Sequence, residues 1–212
     1  MIKSPLPRLC VLASALALCG CITVFPNAPP ANLYRFGVST PPAQAPAQTS
    51  SSQFSVLDAG VGFDREAASD RILTVTGNEV AYIKDARWAA PASVQFHEAE
   101  LSAFDQAAGP ARLIEKADVS QIDYVLKLNV RRFEARYDSG PQAPPTVVVE
   151  VHAFLNKFHD HAVAGDRMFE AKVPASDNRV SAITQAFDEA TTKVLGDVTA
   201  WVNQAGPIKG AA

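Results

Sequence analysis

The sequence predicts an α+β fold, an antiparallel sheet with two helices packed on one face, on three observations. Several segments alternate apolar and polar residues, as strands do because successive side chains point to opposite faces. Two longer segments repeat their apolar residues every three or four positions, the spacing of a helix face. The order along the chain is strands, helix, strands, helix, which suits a layered α+β domain rather than regular alternation around a parallel sheet.

Gln53 to Val61 and Arg71 to Val75 read as the first strands. Thr76-Gly77-Asn78 joins the second to a third at Glu79 to Ile83, since Gly-Asn between apolar runs signals a hairpin. Pro91 to Ala108 follows a helical period. Pro91 suits the first turn, Gly109 suits the C-terminal cap, and Val94, His97, Leu101, Phe104 and Ala108 share a face. A short strand near Ala111 to Ile114 precedes a long one from Ile122 to about Tyr137, in which Ile122, Tyr124, Leu126, Leu128 and Val130 point one way. Past Arg132 the alternation shifts to Phe133 and Ala135, which predicts a bulge or twist near Arg131 and Arg132. Asp138-Ser139-Gly140-Pro141 turns the chain into a strand from Thr146 to Phe158, with Val147, Val149, Val151 and Leu155 inward. His159-Asp160-His161 reverses it again into a strand ending near Val173. The last helix has Asp177 as its expected N-cap, repeats Ile183, Phe187, Ala190, Val194, Val198 and Trp201, and ends at Gly206-Pro207.

The N-terminus differs from all of this. Lys3 and Arg8 precede an apolar run from Leu9 to Leu18, about ten residues and so the length of a signal segment rather than a membrane span. Leu18-Cys19-Gly20-Cys21 resembles the lipobox of bacterial lipoproteins, which implies removal of residues 1–20 and acylation of Cys21. Several acyl chains would hold the protein durably, each buried methylene contributing about 0.8 kcal/mol. Ile22 stands where an Asp would favour inner-membrane retention, so the expected location is the outer membrane, facing the periplasm. Residues 21–53, rich in Pro, Ala and Ser, cannot form a core and read as a lipidated tether. Within it Asn32-Leu33-Tyr34-Arg35-Phe36 alternates well enough to dock on the domain as an edge strand. The expected domain runs over 54–206 and a flexible end over 207–212.

Without Lys3 and Arg8 the 19 basic residues fall to 17 against 22 acidic ones, a net charge of −5. A mildly acidic chain with no basic stripe argues against nucleic acid as a partner. Cys21 is the one cysteine left beyond the signal, which excludes an intrachain disulfide.

No nucleophile elbow, phosphate loop, dinucleotide fingerprint or paired-cysteine site occurs, so no catalytic residue, cofactor or metal site is expected. His97 lies on the apolar face of the first helix and reads as a hydrogen-bonded core or interface histidine. His159 and His161 flank a turn and do not converge with His152 as metal ligands must. Asp58, Asp64, Glu66 and Asp70 lack calcium-loop spacing and read as a solvated connection. Arg87 and Trp88 sit where a strand enters the first helix. Trp88 either fills the gap between sheet and helix or, with Arg87, anchors a partner, since both residue types are enriched at interface hot spots.

Val80-Ala81-Tyr82, then Ala86-Arg87-Trp88-Ala89-Ala90-Pro91 and a helix ending at Gly109, resembles the ABC-type transport auxiliary lipoproteins. The likeness continues through Asp123-Tyr124-Val125-Leu126, Phe133-Glu134-Ala135, Phe169 and Trp201-Val202, and covers about residues 54–205. It implies a non-enzymatic subunit of an MCE-type system that moves lipids between the two membranes. Its partners would be a periplasmic MCE-type protein and its ABC transporter, with the acyl anchor in outer-membrane lipid and homo-oligomer formation left open. The alternative reading is a lipoprotein that regulates a cell-wall enzyme.

Overall fold

The computed structural model describes residues 31–37, 53–115 and 122–206. Cys21, the signal, most of the tether and the 207–212 end lie outside the described residues.

One eight-stranded sheet and two helices account for the regular structure described. Along the chain these are β1 (Asn32–Tyr34), β2 (Phe54–Phe63), β3 (Arg71–Thr76), β4 (Glu79–Trp88), α1 (Ala92–Gln106), β5 (Ala111–Ile114), β6 (Tyr124–Arg136), β7 (Thr146–Lys157), β8 (Val163–Pro174) and α2 (Val180–Asn203). The α+β class and the helix–sheet layering follow the sequence prediction, but the sheet is mixed. The β3–β4, β6–β7 and β7–β8 pairs are antiparallel. The β1–β4, β2–β5, β2–β6 and β3–β6 pairs are parallel. Alternation shows which face a side chain takes and is blind to strand direction, which the crossing segments set.

Strand β6 organises the sheet. One edge pairs with β7 along its whole length, while the other is shared, β2 lying against Tyr124–Val130 and β3 against Ala135 and Arg136. The expected bulge is present: Val130 faces Val151 and Arg132 faces Glu150, leaving Arg131 as the surplus residue. The surplus residue turns Phe133 and Ala135 back onto the face already occupied by Leu126, Leu128 and Val130, and all five are buried. The two-residue turn Gly77-Asn78 closes the β3–β4 hairpin, with Gly77 at φ +59°.

Both helices cover that same face. The Phe133 ring lies 6.2 Å from Phe96 of α1 and 4.7 Å from Phe187 of α2, so one side chain of the sheet touches both. The opposite face is polar: Arg132, Glu150 and Glu170 stand side by side on β6, β7 and β8 and pair as ions. Among the described residues, no helix is long and apolar enough to cross a membrane.

Helix α2 buries Ile183, Phe187, Ala190, Val194 and Val198 as its spacing predicts. Its N-cap position is Arg179 rather than Asp177, whose carboxylate instead meets the Arg179 guanidinium at 2.6 Å. Helix α1 departs further. Its buried stripe is Ala92, Gln95, Phe96, Ala99, Glu100 and Phe104, rotated from the expected one, and Val94 is exposed. Two polar residues inside the stripe disguised it. The cap at Gly109 also fails, because the helix ends at Ala107 in extended conformation. Gly109 is needed for another reason: a Cβ there would fall 2.1 Å from the Asn203 side chain, which accepts a 3.0 Å hydrogen bond from the Ala111 N–H.

Candidate functional site

The segment Asn32–Tyr34 docks as the expected edge strand, parallel to β4, with Leu33 beside Arg87 and Tyr34 beside Trp88. The chain then drops Phe36 into the core, where its ring meets Trp88 at 4.9 Å and Phe133 at 4.8 Å. Phe187 closes the cluster 5.3 Å from Trp88.

Neighbouring positions on a strand face opposite ways, so Arg87 and Trp88 part company here. Trp88 is 2% exposed and fills the space between sheet and helices, which withdraws its indole from any partner surface. The partner role assigned to it jointly with Arg87 is therefore corrected to a supporting one. Arg87 points outward, half-exposed, and binds both oxygens of Asp70 at 3.1 and 3.2 Å. Next to it Leu33 is 65% exposed, an apolar side chain at the rim of the sheet.

His159 and His161 lie exposed in the β7–β8 turn. His152 belongs to β7 and pairs with Asp166 across the β7–β8 ladder, so these three do not converge.

His97 has a different setting. Asp58 is a residue of β2, not of a solvated loop, and sits where the β2–β6 register slips between Asp58 and Val61. Gly60, at φ +84°, donates its N–H to Asp58 Oδ1 at 2.6 Å and so holds the irregularity in place. The other oxygen, Oδ2, lies 3.3 Å from His97 Nδ1, and the Asp58 side chain is 4% exposed. Glu100, one turn on from His97 along α1, is fully buried and brings Oε2 to 3.7 Å from the same Nδ1. Glu115 Oε1 approaches the far nitrogen, Nε2, at 3.5 Å. Burial, and then the charge of Asp58, pushes the Glu100 carboxyl up to about 8. Neither Glu100 oxygen has a hydrogen-bond partner. The sequence reads Asp58 only as part of a solvated connection and does not single out Glu100 at all; the available signal is a glutamate three positions after a histidine on a helix whose buried stripe is mostly apolar.

Fold and surfaces together define a small layered α+β domain that carries Arg87 on the strand next to the sheet edge and brings Asp58 of β2 and Glu100 of α1 against His97. The chain belongs to the family of ABC-type transport auxiliary lipoprotein components, which it matches over residues 34–199. Among curated proteins none matches the chain significantly. A crystal structure of a Xanthomonas campestris protein of the DUF330 family is similar with 27% identity and a TM-score of 0.69, covering 82% of this chain and 96% of that one. A hypothetical protein from Chlamydia trachomatis shares the fold at 10% identity and a TM-score of 0.50, covering 73% of this chain and 98% of that one.

Proposed function

We propose that the protein is a non-catalytic, periplasm-facing lipoprotein subunit of an ABC/MCE-type system that moves lipids between the inner and outer membranes. The observation that carries this reading is the family match over 34–199, which spans nearly all of the described domain. In this reading Cys21 carries the acyl anchor in the outer membrane, and residues 22–30 link it to the domain, which begins with the docked segment 31–37. Those nine residues could reach about 30 Å fully extended. Arg87 is the docking side chain. It stands one strand in from the sheet edge, beside the exposed Leu33 of β1, and because its pair with Asp70 is half-exposed, a partner carboxylate can compete for it.

The test is to isolate tagged full-length protein from its native envelope and identify the proteins and lipids that accompany it. An MCE-type protein with ABC transporter subunits is the expected result. Recovery of a cell-wall enzyme in their place would overturn the reading.

A further inference from the structure

We propose that Asp58, His97 and Glu100 bind a divalent transition-metal cation, with Zn2+ as its representative, and that Glu115 holds the imidazole from behind. The inference is independent of the transport reading.

The three side chains come from two elements that face each other, Asp58 from the irregular point of β2 and His97 and Glu100 from successive turns of α1. Their donor atoms all lie within 4.8 Å of one another. Two ligands each about 2.1 Å from one tetrahedral ion stand about 3.4 Å apart. The distances from His97 Nδ1 to Asp58 Oδ2 and to Glu100 Oε2 are 3.3 and 3.7 Å, close to that spacing, and the third edge, between the two carboxyl groups, is within 4.8 Å, so a movement of about 1 Å by one carboxyl group closes the cluster on an ion.

The hydrogen-bond pattern points the same way. Both Glu100 oxygens and His97 Nδ1 are buried and lack hydrogen-bond partners. A buried carboxylate left so is strongly disfavoured. A protonated His97 does not resolve this, because its Nδ1 carries one proton for the two carboxyl groups that approach it. A dication accepts lone pairs from all three residues at once and takes the place of the proton that a buried Glu100 otherwise carries. Glu115 supplies the outer contact that metal-bound histidines usually have: a carboxylate 3.5 Å from Nε2 favours the tautomer with the proton there and the Nδ1 lone pair toward the ion. One imidazole nitrogen with two carboxylate oxygens suits zinc or a neighbouring transition metal, whereas calcium and magnesium prefer oxygen throughout. The cation would tie β2 to α1.

The experiment uses full-length lipidated protein in detergent, stripped with EDTA and titrated with ZnCl2, reading stoichiometry and affinity by calorimetry and thermal stability in parallel. One Zn2+ per chain and a raised melting temperature are expected. Glu100→Gln keeps the shape of the side chain and should weaken binding at least about 100-fold, as should His97→Ala and Asp58→Asn, while Glu115→Gln should weaken it roughly 10-fold. Should any one of these variants fail to fold in the metal-free state, the others still decide the question. His159→Ala and His161→Ala should bind as the unmutated protein does. The proposal is overturned by absence of saturable Zn2+ binding, by binding that survives both His97→Ala and Glu100→Gln, or by Ca2+ or Mg2+ binding more tightly than Zn2+.

Discussion

Arg87 and Trp88 are neighbours in the chain with opposite surroundings, and their variants should separate accordingly. Trp88 packs against Phe36, Phe133 and Phe187, so Trp88→Ala should lower folding stability by about 3–5 kcal/mol in denaturant unfolding. A loss below about 1 kcal/mol would contradict its place in the core. The half-exposed Arg87–Asp70 pair is worth about 0–1 kcal/mol, so Arg87→Ala should leave folding nearly unchanged. Its effect should appear in partner binding, larger in low salt than in high salt. Affinity equal to that of the unmutated protein at every salt concentration would remove Arg87 from the interface. The strand-to-helix junction was legible in sequence as a place of interest. Which of its two residues faces outward depends on which face of the sheet the helices cover, a matter of packing between segments far apart in the chain.

At the scale of elements, the short segment 31–37 shows how little sequence a tertiary role can need. Three residues pair with β4, yet Phe36 behind them is 2% exposed, and its backbone N–H donates to Gln95 Oε1 of α1 at 3.3 Å. Phe36→Ala should therefore destabilise the whole domain by about 3–5 kcal/mol, although it lies in a stretch of tether-like composition. Unfolding at the same denaturant concentration as the unmutated protein would show that β1 contributes nothing. The β6 bulge was legible because a phase shift in alternation is a local signal. The buried stripe of α1 was not, because Gln95 and Glu100 are polar and their burial depends on what lies opposite: Gln95 donates to the Ala90 carbonyl at 2.8 Å, and Glu100 faces His97 and Asp58.

For the whole molecule, the proposed anchor makes a prediction of its own. Cys21→Ala should abolish acyl labelling and release the domain from membranes in fractionation, and a labelled, membrane-bound variant would disprove the assignment. The sequence by itself determined the α+β class, the order of strands and helices, the β6 irregularity and the face of α2, since each of these is written in periodicities spanning a few residues. Only the tertiary structure decided that the sheet is mixed, that Trp88 lies inside while Arg87 lies outside, and that Asp58, His97 and Glu100 meet. Strand direction depends on the path of the connecting chain. The meeting of Asp58 with α1 depends on β2 and α1 packing across an intervening hairpin, and no local pattern encodes a contact made at that distance.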